Sequence, residues 1–291
     1  VHALATGAFI DSSGCVDCSA LNVGDYFTLG GDTMLVVDRP MLDSIVILRR
    51  DLSKVCVSHI TDMKDALRGL RWFNTDISGW NVSNVTDMTN MFFKSKIFNQ
   101  EIGNWNVRSV TNMNRMFQKA ESFNGDVSNW DVSNVTKMNA TFFGASAFNQ
   151  DIGDWDVGNV TVAEAMFRNA GAFSQDLSMW CVTNIATQPN LFDWNAALTT
   201  SQLPVWGTCP TPPPYEVLPN GCISCAALNI GDQFTLNGKT YTVANRIMLE
   251  TAIYNNWDLS RYCVTHVTNF EDLFYGSNAS SYNISNWDVS S

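Results

Sequence analysis

The chain has 291 residues, 45% of them hydrophobic and 15% charged, with 28 acidic against 17 basic side chains for a formal net charge of −11. This composition suits a folded globular chain and excludes a nucleic-acid binder, which needs a basic patch to meet phosphate. No run approaches the ~18–20 apolar residues of a membrane-spanning helix, so no membrane span is predicted.

Residues 1–47 read as a cysteine-bearing head with Cys15 and Cys18. The stretch YFTL-GGD-TMLVV, starting at Tyr26, sets two β-rich runs around a Gly-Gly pair that supplies the positive φ angles of a tight primed turn. A β-hairpin is predicted there, as a lid over the first repeat.

From residue 48 the sequence becomes periodic. Trp80, Trp105, Trp130, Trp155 and Trp180 share one 25-residue period with Phe73, Phe98, Phe123, Phe148 and Phe173, and with Phe92, Phe117, Phe142, Phe167 and Phe192. A fixed period of this length marks stacked units that bury their apolar faces against their neighbours. Alternation around Trp80 and Val82 predicts a short strand from Ile77 to Ser83, and the spacing of Met88, Met91 and Phe92 predicts a short helix. The expected fold is an α/β solenoid, a right-handed coil of strand, turn and short helix over residues 48–203. The degenerate first coil at 51–67 and the decayed last coil near 173–197 are read as caps. Asn84, Asn134, Asn159 and Asn184 fall in the turn after the expected strand, where an amide can satisfy backbone groups of stacked turns. His59 holds that place in the first coil.

Residues 204–221 are proline-rich and read as an extended linker. Beyond them, 222–291 read as the start of a second module. Cys15, Cys18, Phe27, Arg39, Asp51, Cys56, His59 and Trp80 recur at a constant offset of 207 as Cys222, Cys225, Phe234, Arg246, Asp258, Cys263, His266 and Trp287. The chain opens on Val1 and stops at Ser291 inside an incomplete 25-mer, as expected of a segment from a longer array or of an edge that something else covers.

The eight cysteines are read mainly as a disulfide framework. Cys56 and Cys181 share a place in the 25-residue unit, but five coils at about 4.8 Å each put them too far apart to bond. The simplest scheme pairs Cys56 with Cys15 or Cys18, and Cys181 with Cys209, with Cys222, Cys225 and Cys263 repeating the head. One head cysteine is left over for pairing to another module or chain. Zinc half-sites or redox pairs are the alternatives, although zinc lacks a full ligand set and the βαβ context of a redox motif is missing. No metal or other cofactor is predicted. Seven sequons, at Asn81, Asn84, Asn134, Asn139, Asn159, Asn278 and Asn283, permit N-glycosylation of a secreted chain; their number is near chance for so asparagine-rich a sequence.

The ordered series Ile77, Trp80, Val82, Val85, Met88, Met91 and Phe92 resembles the BspA-like leucine-rich-repeat surface proteins. FNQDIGDWDVGNVT and VSNVTDMTNMF look more closely like the 25-residue surface-protein repeat first noted in mycoplasmas. The resemblance covers about residues 48–197, restarts near 255, and leaves the cysteine head and linker outside its pattern. It implies a leucine-rich-repeat-type right-handed coil on an extracellular protein at the cell surface, often an adhesin or a protein of unknown role.

No unit presents a nucleophile with a base and an orienting group, so an enzyme is not expected. Two roles follow. The first is a structural one: a block of a surface fibre, filament or layer that associates with itself into a homopolymer, because head-to-tail contacts that do not close produce filaments. The second is an adhesin whose outward sheet face, with Asn81, Asn106, Arg108, Asp131, Asp154 and Asp156, meets a glycan or protein.

Overall fold

The computed structural model describes residues 7–210 and, beyond them, 216–217, 222–225, 228–236, 239–254, 259–264, 267, 273–274, 284–285 and 287. It divides into two compact units, Val1–Pro210 and Thr211–Ser291.

In the first unit, β1 (Phe9–Ile10) pairs antiparallel with β2 (Val16–Asp17). The hairpin of β3 (Tyr26–Leu29) and β4 (Asp32–Val36) turns on Gly30 and Gly31, whose φ angles of 60° and 93° glycine adopts without steric cost. β4 then pairs in parallel with β5 (Val55–Cys56). Between them stands a helix that periodicity alone did not announce, α1 (Arg39–Ile47). Asp38 caps it by accepting the Met41 N–H at 2.9 Å, and Pro40 sits in the first turn, where no amide donor is needed. Its buried Leu42 and Ile45 belong to the main core, whereas Phe27, Met34 and Val36 of the hairpin form a separate cluster with Cys18 and Cys56. The helix, more than the hairpin, closes the apolar end of the repeats.

Between residues 57 and 199 no residue is in a strand or a helix; the 25-residue segments consist of turns and isolated bridges. The expected α/β solenoid of leucine-rich-repeat type is therefore overturned. Among the described residues, the sheets are small, of two or three strands, and the two α-helices both belong to the heads. The backbone donors explain the difference. A helix returns each N–H to the carbonyl four residues earlier. Here Met88, Asn90, Phe92 and Lys94 instead donate at 2.8–2.9 Å to Asn112, Asn114, Met116 and Gln118 of the next segment. Asn90 and Lys94 have φ of 57° and 60°, a left-handed conformation that a right-handed helix excludes. The expected strand also fails, because Trp80 N–H closes a turn on Ile77 O and Val85 N–H closes one on Val82 O.

Side chains stack even though strands do not form. Phe92 and Phe98 lie 4.0 Å apart between ring centroids, Phe117 and Phe123 likewise, and Phe142 and Phe148 3.9 Å. Each phenylalanine column continues into the next segment, as in Phe98–Phe123 at 5.8 Å and Phe117–Phe142 at 5.6 Å. The indole N–H groups of Trp80, Trp105, Trp130, Trp155 and Trp180 donate to the carbonyls of Leu52, Ile77, Ile102, Val127 and Ile152, so each buried ring is satisfied by the segment before it. Asn99, Asn124, Asn149 and Ser174 each donate a backbone N–H to the side-chain oxygen of the asparagine at the same place one segment earlier.

The far end of the first unit is closed by Trp206, edge-on to Phe192 at 5.0 Å, and by backbone bonds from Leu177 to Gln202 and from Val182 to Thr208. In the second unit β6 (Glu216–Val217), β7 (Ile223–Ser224), β8 (Gln233–Leu236), β9 (Lys239–Val243), α2 (Arg246–Tyr254) and β10 (Tyr262–Cys263) repeat the elements of the first head in the same order and at the sequence offset of the cysteines. Trp287 even repeats the Trp80 bond, with its indole donating to Leu259 O at 3.2 Å. Asn237, Gly238, Asp258, His266, Asn278, Asn283 and residues 288–291 lie outside the described residues.

Candidate interaction surface

The structure joins Cys18 to Cys56, Cys181 to Cys209 and Cys225 to Cys263. The first and third bonds tie each head's cysteine segment to the strand that enters the repeats, and the second fastens the last segment to the residues after Trp206. Sequence separations of 38, 28 and 38 residues give each bond about 3–4 kcal/mol in the loop-entropy picture. The Cys15–Cys18 pair is thus split, and neither a zinc half-site nor a redox pair survives in it. Cys15 is buried beneath Ser78 O at 3.6 Å and the Asn104 amide at 3.5 Å, and burial pushes its thiol above the ordinary range. The leftover thiol of the first head packs against the repeats. Among the described residues, no group of three or more His, Cys, Asp or Glu side chains is placed to hold a metal ion.

The six candidate binding residues share one corner of the repeat but not one environment. Asn81, Asn106, Asp131 and Asp156 hold the same place in successive segments, and the side-chain Oδ1 of each accepts the N–H two residues on, at 3.0–3.2 Å. They are turn-closing acceptors first. Asn81 is 6% exposed and is not on a surface at all. β2 of the head lies over this turn, with Val16 N–H on Gly79 O at 2.8 Å and Val16 bridged to Trp80. Arg108 approaches Asp131 at 3.6 Å. The Ser133 hydroxyl, its backbone N–H and the Arg108 charge hold the Asp131 carboxyl below the usual carboxylate range. Asn106, Asp154 and Asp156 point outward. The sheet face expected to carry all six does not exist.

Several sequon asparagines are committed to the stack. The side-chain nitrogens of Asn84, Asn134 and Asn159 donate to Ser58 O, Arg108 O and Ser133 O at 2.7–2.9 Å, each one segment back. The same nitrogen would carry a glycan. Asn139 uses its oxygen, accepting from Glu164 N–H at 2.8 Å. His59 does the work of the turn asparagine at the first segment, with its Nε2 2.9 Å from Leu21 O of the head.

A model of the family described as mycoplasma protein of unknown function, DUF285, matches residues 39–132, 102–206 and 236–291. The chain belongs to this family. The matched ranges begin at α1 and omit residues 1–38 and 207–235, so the cysteine segments of both heads lie outside the family pattern. The mycoplasma-type repeat is the part of the sequence resemblance that holds; the leucine-rich-repeat part has no strand or helix to rest on. No curated protein and no solved structure matches the chain.

A second surface feature was not singled out from sequence. Cations lie over aromatic rings along one edge of the repeats: Arg68 and Lys94 over Phe93 at 5.0 and 4.9 Å, Lys119 and Arg168 over Phe143 at 5.9 and 5.3 Å, and Arg168 over Trp194 at 5.1 Å. Arg68, Phe93, Gln118, Phe143 and Arg168 occupy one and the same place in successive segments. The signal was present in that spacing, masked by the acidity of the whole chain.

Proposed function

We propose that this protein is an extracellular structural component, a building block of a surface fibre, filament or layer made from tandem modules, each a head with its repeats. The observation that carries the reading is the second head. It repeats the first element by element, down to its disulfide and the indole bond of Trp287. A chain that builds the same disulfide-fastened entrance twice has the organisation of an array, in which stability grows by repetition of one unit and its interfaces. Three disulfides suit an oxidising, extracellular setting. Among the described residues no helix is long and apolar enough to cross a membrane.

Negative-stain microscopy of native material tests this reading. Filaments or ordered sheets support it, and isolated particles at micromolar concentration argue for the adhesin instead. Replacing the outward Asp154 and Asp156 by alanine separates the two further: loss of attachment with assembly intact belongs to an adhesin.

A further inference from the structure

The repeats carry two charge stripes of opposite sign and identical pitch. The segments 61–72, 86–97, 111–122, 136–147 and 161–172 together hold nine basic and five acidic residues. The segments 76–85, 101–110, 126–135, 151–160 and 176–185 hold eight acidic residues and one arginine. More than half of the basic residues of an acidic chain thus fall in the first stripe. Among the described residues, no ion pair joins one stripe to the other: Lys96–Glu121 stays within the basic set and Arg108–Asp131 within the acidic one. The cations of the first stripe are also ordered in advance. Lys94, Lys119 and Arg168 lie against Phe93 and Phe143, so little side-chain freedom remains to be lost on contact. The acidic stripe is equally fixed, because Asp126, Asp131, Asp151 and Asp156 each accept the backbone N–H two residues on.

We infer that a second copy of this chain docks side by side on the first, the acidic turn stripe of one copy lying along the cation–aromatic stripe of the other. The inference rests on the structural reading above and deepens it by naming a lateral contact. Both stripes advance once per segment, so satisfying one pair of charges brings the pairs before and after it into register. Complementary potentials of this kind steer encounter and fix register. An anionic polysaccharide is the rival occupant of the basic stripe, but it leaves the matching acidic stripe unexplained.

The test uses the full chain and two charge-reversal variants, Lys94→Glu/Arg115→Glu/Lys119→Glu and Asp131→Lys/Asp154→Lys/Asp156→Lys. Association is read by sedimentation and by microscopy. The unaltered chain should associate at about 0.02 M salt and weaken by about tenfold or more at about 0.5 M. Each variant alone should lose side-by-side association, and an equimolar mixture should recover it, an outcome that misfolded variants cannot produce. Filaments that persist unchanged in both variants overturn the lateral contact and leave the building block standing. An unaltered chain that stays monomeric at every salt concentration overturns both. Capture of a sulfated polysaccharide by the basic stripe of a monomeric chain assigns the stripe to a glycan and overturns the inference as well.

Discussion

An indole buried among hydrocarbons still has one N–H to place, and the chain solves this by reaching one segment back. Trp130 donates to Ile102 O at 3.1 Å while remaining 3% exposed. Trp130→Phe keeps an aromatic ring and removes this bond, while Ile102 O still accepts the Trp105 N–H at 3.1 Å. A loss of about 0.5–1.5 kcal/mol is expected from the one hydrogen bond, before any cost of the smaller ring, and urea unfolding measures it. Truncating Phe117, which touches rings on either side and within its own segment, should cost about 3–5 kcal/mol by the same measurement. The backbone offers a change of opposite sign. Ala140 is held at φ 53°, where Cβ crowds the following carbonyl, so Ala140→Gly should raise stability by about 1 kcal/mol. A melting temperature that falls in Ala140→Gly removes strain at this position from the account.

The period, the inward aromatics, the second head and the hairpin turn were legible because each rests on spacing or on residues with one dominant use. What the segments do between their apolar residues was not legible. Met88, Met91 and Phe92 are buried at helical intervals, yet the chain reaches that burial through left-handed residues at 90 and 94 and through amides aimed at the next segment. Asparagine and lysine fill those two places here, and arginine, alanine and glycine fill them elsewhere, so no residue type betrays the conformation. The missed helix α1 did leave a signal in Asp38, Pro40 and the apolar Leu42 and Ile45. Asn81 leaves the candidate surface for a long-range reason: only the return of β2 over the first turn removes it from solvent. Elements closed by disulfides are where loss should begin. Cys181→Ser/Cys209→Ser should cost about 3–4 kcal/mol and expose the last segments first, visible as early amide exchange around Val182 and Phe192. Uniform loss of protection along the whole repeat would show that this bond does not act locally.

The whole first unit should be most stable on a plateau bounded by two kinds of group. On the acid side stand carboxylates used as turn acceptors. Asp51 is held low by the Ser53 hydroxyl, Asp126 by the Ser128 backbone N–H and hydroxyl, and Asp131 by the Ser133 hydroxyl. In the unfolded chain these groups take up protons near about pH 3.9, and in the folded chain only lower. The stability they contribute is therefore present above about pH 4 and is lost as pH falls through their folded values. On the alkaline side stands Cys15, whose thiol is raised chiefly by burial and further by Asp11, against an opposing effect of the Ser13 hydroxyl. The unfolded thiol ionises near about pH 8.5 while the folded one keeps its proton, so stability declines as pH climbs from about 8.5 towards the folded value. Thermal unfolding followed across pH should show both shoulders. Cys15→Ala should flatten the alkaline shoulder of the first unit and leave the acid one in place. An alkaline shoulder unchanged in that variant would remove the Cys15 thiol from its cause.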